Sequence, residues 1–233
     1  MSLLTICQAA LYELSGFEVP SNFYGSTNLT ARTCVALVQR EGNTLEKEHR
    51  WTELITTHTF TTTNGTDYYA LPADFRAMAF DSHWDRTNSR KMLGPTAPGR
   101  WQWLKSDTAS GSAVERFFRI QNGRVYIHPV PTVTGDTIAY DYYSKSWVTK
   151  QSDASNVAAW TSDADTARID EDLLTLGLKW RFLQSKGMPF EAEYREYESI
   201  KSELLADNGG KPVIDLGPHR LDLSNLPDTG FGS

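Results

Sequence analysis

The hydrophobic period of this chain changes twice, from about 3.6 residues to two and back again, and few folds accommodate that order. Leu3, Ile6, Cys7, Ala10, Leu11 and Leu14 recur at i, i+3, i+4 and i+7, which places them on one face of a helix that stops at Ser15-Gly16. A second helix carries Leu29, Ala36 and Leu37 behind a cap at Ser26, Thr27 or Asn28, and Gly42 is expected to break or kink it. Residues 45–54 read as a third, short helix ending near Trp51.

From Thr57 the period is two. Residues 57–62 are rich in β-branched side chains, and Asn64-Gly65 predicts a hairpin turn with residues 67–71 as the returning strand. Leu71-Pro72 closes that strand, because proline has no N–H for the ladder. Further strands are expected near 76–84 and 91–93, and a short helix within 95–105. A second hairpin is predicted from 116–121 and 124–128 across Asn122-Gly123, followed by a long aromatic strand over 137–148.

The helical period returns with Ile169, Leu173, Leu174, Leu176, Leu178, Trp180, Phe182 and Leu183, which are apolar nearly all round and so predict a central, buried helix. Pro189 opens the next helix, with Tyr194, Tyr197, Ile200, Leu204 and Leu205, and Asn208-Gly209-Gly210 stops it. The expected fold class is therefore α+β. A helical bundle is built from residues 1–56 and 169–208, an antiparallel β domain (57–149) is inserted, 150–168 is a polar linker, and 209–233 is an extended tail. The tail has no period of its own, yet it holds Val213, Ile214, Leu216, Leu221, Leu223, Leu226 and Phe231. So many large apolar groups predict a tail that packs on its own domain or docks on a neighbouring subunit or partner.

The search for chemistry excludes more than it finds. The 233 residues are 39% hydrophobic and 22% charged, ordinary for a globular chain, and no apolar run approaches the roughly 18 residues of a membrane span. No secretory signal is read at the N-terminus. Cys7 and Cys34 sit at helical spacing among apolar residues and read as buried thiols. His49, His58, His83, His128 and His219 have no metal-motif spacing, and nothing resembles a phosphate loop, a dinucleotide fingerprint or a nucleophile elbow. Asp163, Asp165, Asp170 and Asp172 lack the calcium-loop pattern and read as a charge cluster at a helix start. No catalytic residue, cofactor or metal is assigned.

Charge is unevenly distributed. Residues 76–128 hold nine basic and four acidic side chains, a net +5 in a chain of net −6. Arg86, Arg90, Arg100, Arg116, Arg119 and Arg124 are the candidate basic contact face, with Trp84, Trp101 and Trp103 among them. Arginine and tryptophan are enriched at protein interfaces, and the same pair of groups also serves nucleic-acid binding. On this reading, reversing Arg116 and Arg119 to Glu weakens assembly and spares the monomer.

Trp51, Tyr69-Ala70-Leu71-Pro72-Ala73-Asp74-Phe75, Tyr126-Ile127-His128-Pro129, Asp170-Glu171-Asp172-Leu173-Leu174 and Trp180-Arg181-Phe182 follow one another in an order and spacing with a counterpart. The chain resembles the head-to-tail adaptor (connector) proteins of tailed bacteriophages, similar to tail tubular protein A and to the P22-type tail accessory factor. The resemblance covers most of residues 1–210. It implies a non-enzymatic structural protein of the virion, assembled in the host cytoplasm. It also implies a homo-oligomeric ring of twelve subunits beneath the portal protein, which extends the channel for duplex DNA and supports the next tail component, a nozzle, tail tube or fibres. By the same resemblance the tail residues dock on the portal. Two other classes remain open on the residues: a tail-associated carbohydrate- or nucleic-acid-binding module, and a tail-associated hydrolase.

Overall fold

The computed structural model describes residues 1–14, 16–106 and 115–208. Four helices from the two ends of the chain form one bundle: α1 (Leu3–Glu13), α2 (Leu29–Glu48), α4 (Glu171–Ser185) and α5 (Glu191–Asn208), with the short α3 (Pro98–Leu104) elsewhere. α1, α2 and α4 each start where a polar side chain accepts their free N–H groups. Asn28 accepts from Thr30 N at 2.8 Å, and Asp170 accepts from Leu173 N at 2.9 Å. α4 packs on α1, α2 and α5, and its Leu173, Leu174, Leu178 and Phe182 are wholly buried. The predicted central helix is thus central, as its all-round apolar sequence requires.

α2 differs from expectation. It runs unbroken through Gly42, and no separate helix spans 45–54; a 3-10 turn at Thr52–Leu54 follows instead. Gly42 is where the Trp147 ring lies against the helix, so a Cβ there would collide with it. Trp51 is buried, and its indole N–H donates to Leu45 O at 2.8 Å.

The inserted strands are β1 (Ile55–Thr61), β2 (Tyr68–Ala70), β3 (Phe75–Met78), β4 (Trp84–Asp85), β5 (Arg90–Leu93), β6 (Arg116–Gln121), β7 (Arg124–His128) and β8 (Thr137–Ser144). They form a sheet of order β1-β8-β4-β5-β6-β7-β2, with β3 also on β8. The expected antiparallel sheet is mixed, because β5 and β6 run parallel. The β6–β7 hairpin has the predicted register, with Asn122 and Gly123 both at positive φ. The other predicted hairpin does not form. β1 pairs along its whole length with β8, and β2 pairs with β7. The Asn64-Gly65 turn is stitched to the 131–136 loop instead: Thr62 N donates to Asp136 O, Gly135 N to Thr62 O and Gly65 N to Pro131 O. A turn signal specifies a reversal of the chain, and the strand partner is chosen by side-chain packing.

Two arginines rivet the strands to the bundle. The Arg76 guanidinium on β3 donates to the carbonyls of Glu46, Lys47 and His49, which the end of α2 would otherwise leave unpaired. Arg168 donates to Ser146 O and Glu53 O. Residues 150–168, expected as a linker, are part of the structure. β10 (Asn156–Val157) and β11 (Thr166–Ala167) flank β9 (Val148–Thr149), and Trp147 and Trp160 meet edge to face at 5.3 Å inside the bundle core. The local composition is polar, but Trp160 within it packs on Trp147 just before it and buries enough apolar surface to hold it.

Candidate interaction surfaces

Residues directly opposite in a ladder share a face, as do residues two apart on one strand. Arg119 stands opposite Tyr126, Gln121 opposite Arg124, and Tyr126 opposite Tyr68. Arg119, Arg124, Tyr68 and Tyr126 therefore share the face of β6–β7–β2 turned away from the main β core of Met92, Phe118, Val125, Ile127 and Ile138. α3 lies on that same face, where Trp101 and Leu104 pack on Phe117. It adds Arg100, whose guanidinium is 5.2 Å from the Phe117 ring centroid. Arg124 is 4.6 Å from the Tyr68 centroid, and Lys105 is 5.8 Å from that of Trp101. The Trp103 side chain stands 61% exposed. The result is a surface of cations set over aromatic rings, suited to acidic or planar partners.

Only part of the predicted basic face assembles there. Arg100, Arg119 and Arg124 share this surface, while Arg86 and Arg90 flank the β4–β5 turn. Arg116 does not join them. It is three residues from Arg119, so it points to the opposite side of the strand, where it pairs with Asp85 at 2.9 Å and with Asp136. Asp85 is almost wholly buried and also accepts from Asn88 N. Arg116 thus closes a polar network inside the β domain. Strand parity alone separates the two arginines; Tyr68 and Lys105 join the face only through β2–β7 pairing and the docking of α3.

An acidic groove of about 840 Å³ lies on the helical bundle. Glu53, Asp170, Glu171, Asp172 and Asp207 line it, where the start of α4 meets the end of α5. The free N–H groups and positive dipole end of α4 favour carboxylates there. Glu171 also pairs with the N-terminal amine of Met1. Glu53 and Asp207 come from other segments and carried no signal in sequence.

The Asp163–Asp172 cluster is dispersed among structural tasks. Asp163 accepts from Phe23 N and Tyr24 N, Asp165 from Thr161, Ser162 and Gln151, and Asp170 caps α4. Burial works to raise the Asp165 carboxyl, but hydrogen bonds from Ser162, Thr161 and Gln151 outweigh it and hold it down at about 2. Among the described residues no group of three or more His, Cys, Asp or Glu is placed to hold a metal ion, and no helix is long and apolar enough to cross a membrane. Cys7 and Cys34 are free and buried; burial pushes the Cys34 thiol up to about 12 against the lowering pull of Lys186. The tail residues Val213, Ile214, Leu216, Leu221, Leu223, Leu226 and Phe231 and His219 lie outside the described residues.

The family comparison places this chain, with its bundle closed by both chain ends and its mixed β insert, among the structural adaptor proteins of bacteriophages. The chain belongs to the SU10 adaptor protein family, whose model matches residues 1–211. No curated protein matches it.

Proposed function

We propose that this chain is a ring-forming subunit of the phage head-to-tail junction. Its subunits, twelve by the resemblance of the sequence, sit beneath the portal, extend the channel for duplex DNA and carry the next tail component, a nozzle, tail tube or fibres. The observation that carries this reading is the family match across residues 1–211, nearly the whole chain. The charge distribution supports it. A closed ring needs two different complementary faces on each subunit. The acidic groove and the Arg–aromatic surface supply groups of opposite sign. The apolar residues 213–231 are the proposed contact with the portal, and Arg86, Arg90, Arg100, Arg119 and Arg124 the proposed contact with a neighbour or tail protein.

The test is the mass of the purified chain, alone and with a portal ring, by light scattering on a sizing column. A chain that joins the portal as a large closed complex supports the reading; a chain that stays apart from its cognate portal overturns it. The exposed Trp103 and Tyr68 beside Arg124 favour one second reading, a carbohydrate- or nucleic-acid-binding module. A salt-dependent gel shift with single-stranded DNA, or retention on a glycan column, would support that reading, and absence of both would remove it.

A further inference from the structure

The β8 strand has a crowded side and a sparse one. Ile138 and Tyr140 turn to the β core, where Tyr140 meets the rings of His58 and His83. Ala139 and Asp141 therefore turn to the opposite side. The ladder register puts Thr57 and Thr59 of β1 and Trp84 of β4 there with them: Thr57 stands opposite Asp141, and Thr59 and Trp84 flank Ala139. Of these side chains only Trp84 is large and apolar. It is 42% exposed, whereas the Ala139 opposite it is 3% exposed. An alanine in that place leaves an indole room to lie along the sheet with one face in solvent.

A cavity of about 480 Å³ opens here, within the range of small-molecule sites. Trp84 and Ala139 line it together with Ser82, Arg86, Ser89 and Asp141. The polar groups are held by their neighbours. Asp141 accepts from the Thr57 hydroxyl at 2.6 Å, and Ser82 Oγ accepts from Asp141 N at 3.0 Å. Arg86 is anchored to β8 through its backbone N–H, which donates to Thr137 O at 2.8 Å.

Charge narrows the ligand. Among the described residues the lining has one cation, Arg86, and one carboxylate, Asp141, and the two cancel. Nearby Lys91 and Asp81 pair with each other at 2.6 Å. A polyanion therefore meets no excess of cations here, unlike on the surface of Arg100, Arg119 and Arg124. The matching ligand is uncharged, has a flat apolar face for the indole, and carries donors and acceptors round its rim. A pyranose ring has that form, with C–H bonds on its face and hydroxyls at its edge; Asp141 can accept from such hydroxyls and the Arg86 guanidinium can donate to them.

We propose that this cavity is a saccharide subsite that takes one neutral hexopyranose unit of a glycan, with Trp84 as the stacking platform, Asp141 as acceptor and Arg86 as donor. It binds without cleaving, because glycoside hydrolysis uses two carboxylates across the bond and Asp141 is the one that lines the cavity among the described residues. The inference goes beyond the ring role. It also lies apart from the Trp103 and Tyr68 surface, which belongs to α3 and β2.

The test is isothermal titration of the full-length chain with three neutral hexasaccharides: maltohexaose, cellohexaose and the β-1,4-linked N-acetylglucosamine hexamer. At least one is expected to bind with a Kd below about 5 mM. Trp84→Ala is expected to weaken that binding about tenfold or more, and Arg86→Ala and Asp141→Asn about threefold or more each. Raising salt from about 0.05 to 0.5 M is expected to change the Kd less than about twofold, since a neutral ligand releases no counterions. The Arg86 side chain is exposed, so its variant tests the site even where Trp84→Ala fails to fold. Failure of all three sugars to bind would overturn the inference. So would a Kd unchanged by the Trp84 and Arg86 variants, which would place the sugar elsewhere, as on the Trp103 surface. No portal is present in the titration, so its result and that of the light-scattering experiment stand or fall separately.

Discussion

Arg116 and Arg119 are the same residue type on the same strand, and the structure gives them opposite work. Arg116 neutralises Asp85 and Asp136 within the β domain, and Arg119 lies on the outer face opposite Tyr126. Reversing both together therefore mixes two effects, and a spared monomer is expected only for the change at Arg119. Arg116→Ala is expected to cost about 3 kcal/mol in urea unfolding, because it leaves the buried Asp85 carboxylate without its cation. Arg119→Glu is expected to change stability by less than about 0.5 kcal/mol while weakening whatever association uses that face. The equal and opposite outcome, a soft Arg119 and a tolerant Arg116, would invert the assignment of the two sides of β6.

Among the elements, the packing of α2 against α4 and Trp147 depends on what is missing. A Cβ on Gly177 would approach the Glu41 side chain to 2.6 Å, and one on Gly42 would strike the Trp147 ring. Glu41 is wholly buried, pairs with Arg181 and accepts from the Tyr197 hydroxyl, so its place leaves no room for movement. Alanine at 42 would gain about 1 kcal/mol of helix propensity. Overpacking is expected to outweigh that gain and leave Gly42→Ala destabilised by about 1–2 kcal/mol in a urea titration. Trp180 packs against Tyr194 at 5.1 Å and Tyr197 at 6.0 Å between ring centroids, and Trp180→Ala is expected to cost about 3 kcal/mol by the same measurement. In the β insert, burial pushes the His83 imidazole down to about 4, against the raising pull of Asp81 and Asp141. The unfolded chain binds this proton more readily, so stability is full above about pH 6.5 and falls as pH drops toward 4, by on the order of 1 kcal/mol per pH unit. Urea midpoints at pH 7 and pH 5 should differ accordingly, and His83→Phe should flatten that difference.

For the whole molecule, the decisive property is that the two ends of the chain make one core while the middle makes another. Leu3, Ile6 and Leu11 share a cluster with Leu173, Leu178 and Phe182, and the strand residues cluster separately around Phe118 and Ile138. Such a layout presents two bodies of different charge to neighbours. If ring contacts join opposite charges, assembly should weaken as ionic strength rises from about 0.05 to 0.5 M, since screening shortens the reach of exposed charges. Sedimentation across that range measures it, and a salt-independent ring would point instead to apolar contacts.

The sequence by itself determined the number and order of the long helices, the buried faces of α1 and α4, the β6–β7 hairpin and the chain's resemblance to its family. These rest on local periods and on turn chemistry, which neighbours along the chain enforce. The face expected for α2 was wrong, because Leu29 and Ala36 are exposed and Ala31, Cys34, Val38 and Leu45 are buried instead. Tertiary structure alone decided that β1 leaves its hairpin for β8, that Gly42 sits inside a helix, and that residues 150–168 pack through Trp147 and Trp160. It also decided which side of β6 is the interior, and so that Arg116, set on the opposite side from Arg119 by strand parity, is the one that turns inward. Each of these depends on which distant side chain fills a given space, and packing energies between residues far apart in sequence override the local preferences that a one-dimensional reading can see.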